Sequence, residues 1–127
     1  MLHVAALQYC ASDDAAKTLC HIKPLIAEAA AKARLVALPE CANYLAASRE
    51  QLFQKAEWDD ESYSQKWLGN IAREYSIWLL AGSLIMRQRD NNELVNRSLL
   101  FGPDGAVVAD YDKIHMFDAD VGDGNKY

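Results

Sequence analysis

The spacing of apolar positions changes several times along the chain, and each change marks an element. Residues 2–8, Leu2-His3-Val4-Ala5-Ala6-Leu7-Gln8, read as a first strand. Ser12-Asp13-Asp14 then supplies N-cap chemistry for a helix running to about residue 32. In it Leu19, Ile22, Ile26, Ala29, Ala30 and Ala33 recur at helical spacing and define one buried face. Pro24 lies inside that pattern and predicts a kink or a late start, within what still reads as one element. Residues 34–38 form a short, apolar strand stopped by Pro39. Residues 43–58 are mixed, with a helical turn around 49–55. A helix over 61–75 follows, with Tyr63, Trp67, Leu68, Ile71 and Tyr75 on one side. Residues 77–86 are a third strand and 87–93, with Asp90-Asn91-Asn92, a hairpin turn. Residues 94–101 are a fourth strand, Gly102-Pro103-Asp104-Gly105 a tight turn, and 106–111 a fifth strand. A βαβαβ start followed by a β-meander predicts an α/β fold with helices covering a mixed sheet. Residues 118–126 are acidic and Gly-containing and read as a loop.

Composition narrows the function classes. A chain of 127 residues suits one domain with a real core. Its 51% hydrophobic and 24% charged residues are ordinary globular values. A net charge of −5 and the lack of any Lys/Arg run argue against a nucleic-acid partner. Three cysteines at irregular spacing, with no CxxC, make neither a disulfide framework nor a zinc site, so reduced thiols in a cytoplasmic protein are expected. The first residues lack the charged region of a signal peptide. The longest apolar stretch, 77–86, contains Gly82 and Ser83 and is too short to span a bilayer, so no membrane partner is expected.

Two charged residues stand at the ends of buried-strand patterns. Glu40 closes Leu35-Val36-Ala37-Leu38-Pro39-Glu40, and Lys113 closes Ala109-Asp110-Tyr111-Asp112-Lys113. A carboxylate and an ammonium at adjacent strand ends can share one pocket as a general base and an oxyanion-stabilising cation. The plainer readings are an exposed loop carboxylate for Glu40 and a solvated cluster of Asp110, Asp112 and Lys113. Such a pair lacks a nucleophile, and Cys10, Cys20 and Cys41 all precede Lys113. The sequence therefore reads as catalytic machinery cut before its last part. Cys41 is rejected because neighbouring side chains after a strand point apart and a carboxylate beside a thiol raises its pKa. Cys10 and Cys20 are expected to pack as small apolar residues. His3, His21 and His115 have no metal-ligand spacing and suit packing or hydrogen bonding. There is no Gly-rich phosphate loop and no Ser nucleophile elbow.

The order of these motifs resembles the nitrilase superfamily of carbon–nitrogen hydrolases. The resemblance runs through Gln8, Leu38-Pro39-Glu40-Cys41, Ala81-Gly82-Ser83, Asn96-Arg97-Ser98, Phe101-Gly102-Pro103-Asp104-Gly105 and Tyr111-Asp112-Lys113-Ile114-His115. It implies an αββα sandwich, of which residues 1–127 would be roughly the N-terminal half, an incomplete domain. It implies amide or nitrile hydrolysis by a Cys-Glu-Lys mechanism, with Glu40 as base, Lys113 as stabiliser of the tetrahedral intermediate, and no cofactor. Leu38-Pro39-Glu40-Cys41-Ala42-Asn43 and His115-Met116-Phe117-Asp118 look most like the Nit/ω-amidase branch, whose substrates are small amides.

Departures from the family accompany the resemblance. The family's nucleophilic cysteine lies downstream of the lysine and is not in this sequence. No Gly precedes the second strand, since Ala33-Arg34 leads straight into Leu35, which predicts a shortened turn. Half a sandwich would leave one sheet face bare, so a homo-oligomer, a complementary half or a longer parent protein is expected. The alternative is a catalytically inactive interaction module that keeps the half-fold as a dimerising scaffold.

Overall fold

In the computed structural model, which describes residues 1–114, the first helix, α1 (Ala15–Ala30), begins where its cap dictates. The Asp14 carboxylate accepts the Lys17 amide at 2.9 Å, and Thr18 Oγ1 ties the preceding loop through the Ser12 amide at 2.9 Å. Leu19, Ile22 and Ile26 are fully buried and lie three or four residues apart, so one stripe of the helix faces the core. The helix runs through Pro24 as one element. It ends at Ala31 in right-handed geometry without a left-handed cap residue. Cys20 lies off the buried stripe and is exposed, as is Cys10 in the preceding loop, so neither is a packing residue.

The remaining elements are β1 (Val4–Ala6), β2 (Leu35–Ala37), α2 (Arg49–Lys55), β3 (Glu57–Trp58), α3 (Tyr63–Tyr75), β4 (Trp78–Arg87), β5 (Leu94–Phe101) and β6 (Val107–Asp112). They build one mixed sheet in the order β1-β2-β4-β5-β6, with β3 beside the far end of β4. The β1-β2-β4 part is parallel and the β4-β5-β6 part is an antiparallel meander, as the alternation of elements predicts. β1 and β2 are shorter than the apolar runs that contain them, and β3 has no strand signature in the sequence.

Helices α1 and α3 cover one face of the sheet. Val36, Leu79, Ala81, Leu84, Met86, Leu99 and Phe101 from the strands meet Leu19, Ile22, Ile26, Leu68 and Ile71 there. α3 starts at the Ser62 cap and buries Leu68, Ile71 and Ala72; Tyr63, at its first turn, is exposed instead of joining that face. The 102–105 turn has a second role beyond reversing the chain. A Cβ on Gly69 of α3 would stand 2.7 Å from the Gly105 carbonyl oxygen, so helix and turn pack backbone to backbone. Gly105 itself has φ +82, which a side chain would strain.

On alternate positions the opposite sheet face is open over β1, the start of β4 and β6, where Val4, Trp78 and Tyr111 are exposed. At the far end of β4, Arg87 stacks on the rings of Phe53 and Trp58, at 3.9 and 4.4 Å from their centroids. His115 and the 118–126 segment lie outside the described residues. Among those described, no helix is long and apolar enough to cross a membrane.

Candidate active site

Glu40 sits in a turn immediately beyond β2, and that turn rests on a break in β4. The β4–β5 register shifts between Ala81 and Leu84, a bulge that lifts Gly82 and Ser83 out of the regular ladder. Gly82 lets the chain leaving β2 cross directly over it: a Cβ there would overlap the Leu38 carbonyl oxygen. Ser83 then clamps the turn. Its Oγ accepts the Cys41 amide at 2.9 Å and its carbonyl accepts the Ala42 amide at 2.8 Å. Ser98 Oγ on β5 donates to the Gly82 carbonyl at 2.6 Å and fixes the bulge from the other side. Cys41 takes φ 52, a left-handed conformation that turns the chain sharply after Glu40.

β6 delivers Lys113. Arg97 and Asp112 face each other across β5 and β6 and form a two-pronged ion pair, Nε to Oδ1 at 2.6 Å and Nη2 to Oδ2 at 2.8 Å. Asp59 adds a second carboxylate 3.8 Å from the same guanidinium. One residue on, the Lys113 amide donates to the Asn96 carbonyl at 3.0 Å, which extends the ladder past the end of β6. Lys113 Nζ therefore reaches Glu40 Oε1 at 2.9 Å, across 73 residues of sequence. Asn96 Nδ2 reaches the same oxygen at 2.8 Å.

The electrostatics follow from these contacts. The Lys113 hydrogen bond holds the Glu40 carboxyl below its usual range against a smaller opposing effect of burial; the Lys113 charge and the Asn96 amide add to the lowering. Burial, first, and the Glu40 charge, second, push the Cys41 thiol up, while Lys113 opposes them. Arg97 holds Asp112 low in the same way as Lys113 holds Glu40.

The two residues singled out from sequence thus meet, but in the open rather than in an enclosed pocket. The Glu40 and Lys113 side chains are 59% and 36% exposed. Two clefts of about 420 Å³ lie elsewhere, one between α3 and the 102–105 turn and one between β1 and α1. The direct ion pair is the better guide to chemistry, because both clefts are wide open and the charged residues that line them, Lys66 and Arg73 in one and Glu28 and Lys32 in the other, are exposed surface groups. Asn96, Gly82, Ser83 and the Arg97–Asp112 pair had no assigned role in the sequence reading. Asn96-Arg97 and Asp112-Lys113 are both polar pairs inside strand patterns, and that repetition is the signal that links them.

The profile of the carbon-nitrogen hydrolase family matches residues 3–126. The chain belongs to that family. This carbon–nitrogen hydrolase chain is 35% identical over 122 residues to Deaminated glutathione amidase of Yersinia enterocolitica, covering 95% of the chain and 42% of that protein. It is 41% identical over 99 residues to human Omega-amidase NIT2, covering 76% of the chain and 34% of that protein. Among solved structures, the Caenorhabditis elegans NitFhit protein matches with a TM-score of 0.84 at 26% identity, over 99% of this chain and 31% of its own. Saccharomyces cerevisiae Nit3, of the nitrilase superfamily, matches with a TM-score of 0.81 at 26% identity, over 90% of this chain and 44% of its own. The fold is thus that of the nitrilase superfamily, and the chain spans less than half the length of each of these proteins.

Proposed function

We propose that this chain supplies the general base and the oxyanion-stabilising cation of an amidase acting on a small amide of the ω-amidase kind. Glu40 is the base and Lys113 the cation. The observation that carries the reading is the 2.9 Å contact between Lys113 Nζ and Glu40 Oε1. In this reaction a thiol loses its proton to Glu40 as sulfur bonds to the amide carbonyl carbon, and the resulting oxyanion takes a hydrogen bond from Lys113. Glu40 returns the proton to the departing nitrogen, and ammonia leaves behind a thioester. Water then attacks the thioester, again with Glu40 as proton acceptor, and releases the acid and the thiol.

The nucleophile is assigned to none of the three cysteines of this chain, so residues 1–127 act as the incomplete part of a larger catalytic domain. Cys41 is poorly suited: its thiol is held protonated, and its amide is tied to Ser83. Reduced, exposed Cys10 and Cys20 fit a cytoplasmic setting. The reading is tested by joining the chain in frame to the remaining portion of an ω-amidase relative and measuring ammonia release from small ω-amides. Turnover should appear, and Glu40→Gln or Lys113→Met should each lower it by about 100-fold or more. Turnover indifferent to both substitutions would overturn the roles. Turnover by the unjoined chain that disappears with Cys41→Ser would overturn the exclusion of Cys41.

A second reading, an inactive scaffold that assembles with its own copies, draws on the open sheet face bearing Val4, Trp78 and Tyr111. In it Glu40 and Lys113 are structural, and the homo-oligomer forms through that face. Sedimentation velocity separates the two: self-association lost with Trp78→Glu but indifferent to Glu40→Gln supports the scaffold, and a monomer at all concentrations removes it.

A further inference from the structure

Glu40 meets two donors, and both converge on one of its two oxygens. Lys113 Nζ lies 2.9 Å and Asn96 Nδ2 2.8 Å from Oε1, while Oε2 accepts no hydrogen bond among the described residues. Asn96 is also the residue whose backbone carbonyl receives the Lys113 amide at 3.0 Å. One residue of β5 therefore fixes Glu40 through its side chain and the strand end that bears Lys113 through its backbone. The orientation of the amide is dictated by its partner, since only the NH2 end can face a carboxylate oxygen. Its other end, Oδ1, is then turned into the protein, where it is buried with no hydrogen-bond partner among the described residues.

That burial is unfavourable. A buried acceptor left unpartnered loses its hydration without replacement, and an apolar side chain of similar volume would avoid that loss. Stability alone does not call for an amide at position 96. Geometry supplies another reason: a donor on β5, aimed at the turn beyond β2, decides which carboxylate oxygen is occupied. Ser98, two residues along the same strand, uses its hydroxyl on the Gly82 carbonyl, so it holds the bulge and leaves Glu40 to Asn96.

We propose that Asn96 is a positioning residue for Glu40: with Lys113 it pins Oε1 and leaves Oε2 as the oxygen that takes and returns the proton. The inference rests on the assignment of Glu40 as the base. Among the described residues the groups facing Glu40 are few. Lys113 comes from the end of β6, Asn96 from β5 and the Cys41 thiol from the same turn; Arg97 and Asp112 are committed to each other. Burial and the Glu40 charge raise the Cys41 thiol, so it stays neutral while Glu40 titrates.

The test follows Glu40 in the chain as it stands, through the side-chain carboxyl carbon resonance as a function of pH. In the unmutated protein the Asn96 side-chain amide resonances should move with the same midpoint as the Glu40 carboxyl, and amide resonances that ignore that midpoint overturn the proposal without any variant. Asn96→Leu should raise the Glu40 midpoint while leaving the urea midpoint of unfolding unchanged or higher. Ser98→Ala, a control on the same strand, should leave the Glu40 midpoint where it was; an equal rise with Ser98→Ala means general loosening and overturns the role of Asn96. Lys113→Met separates the two levels. If it raises the Glu40 midpoint and Asn96→Leu does not, Asn96 is excluded and the Glu40–Lys113 pair stands. If neither substitution moves Glu40, the pair itself is absent and both readings fall.

Discussion

Gly82 and Pro39 touch backbone to backbone: a methyl group on Gly82 would stand 2.7 Å from the Pro39 carbonyl oxygen. This contact seats the Glu40 turn on the bulge of β4, and everything that Glu40 meets depends on it. Backbone cannot retreat as a flexible side chain can, so Gly82→Ala has to push the two strands apart. The expected cost is about 1–3 kcal/mol of stability. The Glu40 carboxyl should also return toward its usual pKa as Lys113 and Asn96 lose reach. Urea unfolding and a carboxyl titration check both; a variant with parental stability and an unmoved Glu40 would show that the crossing at Gly82 does not seat the Glu40 turn.

The Arg97–Asp112 pair holds β6 against β5 one residue before Lys113. The Arg97 side chain is 18% exposed and that of Asp112 37%, so solvent screens the pair only partly. Arg97→Met should cost roughly 1–2 kcal/mol, less than a fully buried pair and more than an exposed one. Its more specific consequence is local: faster amide hydrogen exchange along β6 than along β4. Uniformly raised exchange over the whole sheet would point to a global effect instead.

Acid should loosen the same region. The carboxyls of Glu40 and Asp112 lie below their usual values of 4.5 and 3.8 in the folded chain. A depressed folded value means stability that is complete above the usual value and lost as pH falls through the lowered one. The urea midpoint is therefore expected to be flat down to about pH 5 and to decline below about pH 4. In Lys113→Met and Arg97→Met the decline should be shallower, because the lowering has lost its cause. An identical decline in the parent and both variants would place the acid sensitivity in other carboxylates.

Thiol reactivity should follow exposure and proton affinity. Cys10 and Cys20 are exposed, whereas Cys41 is half-buried with its thiol pushed up by burial and by Glu40. Alkylation at neutral pH, followed by intact mass and peptide mapping, should modify Cys10 and Cys20 first and Cys41 last. Lys113→Met should slow Cys41 further, since Lys113 is the group that favours its thiolate. Preferential labelling of Cys41 would contradict this order.

Much of the fold was legible because period and punctuation agree. The Asp14 cap, the Leu19/Ile22/Ile26 stripe and the 102–105 turn each coincide with a change in apolar spacing, whereas the Ser62 cap lies inside the segment that reads as helix from residue 61. The failures have physical causes. β3 is two residues held by pairing with Met86 and Arg87, a tertiary contact that leaves no period behind. Tyr63 fits the α3 stripe by spacing, yet it is the first residue of the helix and stands exposed, whereas Leu68, Ile71 and Ala72 further along are buried. The bare thiols of Cys10 and Cys20 show that a small apolar residue type does not choose its own burial.

At the site, Glu40 and Lys113 stand out as charges closing apolar runs, and their meeting follows the expectation of a shared site, but the register that joins them is not legible. Counting back from the 102–105 turn without a bulge would place Arg97 opposite Tyr111. The irregularity between Leu100 and Phe101 shifts the register by one and brings Arg97 opposite Asp112. The same arithmetic decides whether Lys113 lands beside Asn96, and nothing local in the sequence announces that extra residue. The pocket that the two charges were expected to share is, among the described residues, an open site, since an ion pair at strand ends needs no walls around it.

Among the described residues β6 belongs to the margin of the sheet: it has one neighbouring strand there and is exposed along nearly all its length. Margins of this kind peel transiently long before a domain melts. Each such excursion carries the ammonium away and lets the carboxylate beyond β2 regain affinity for hydrogen ions. Readiness to accept one is therefore intermittent, and it is timed by how often a six-residue ribbon detaches and returns.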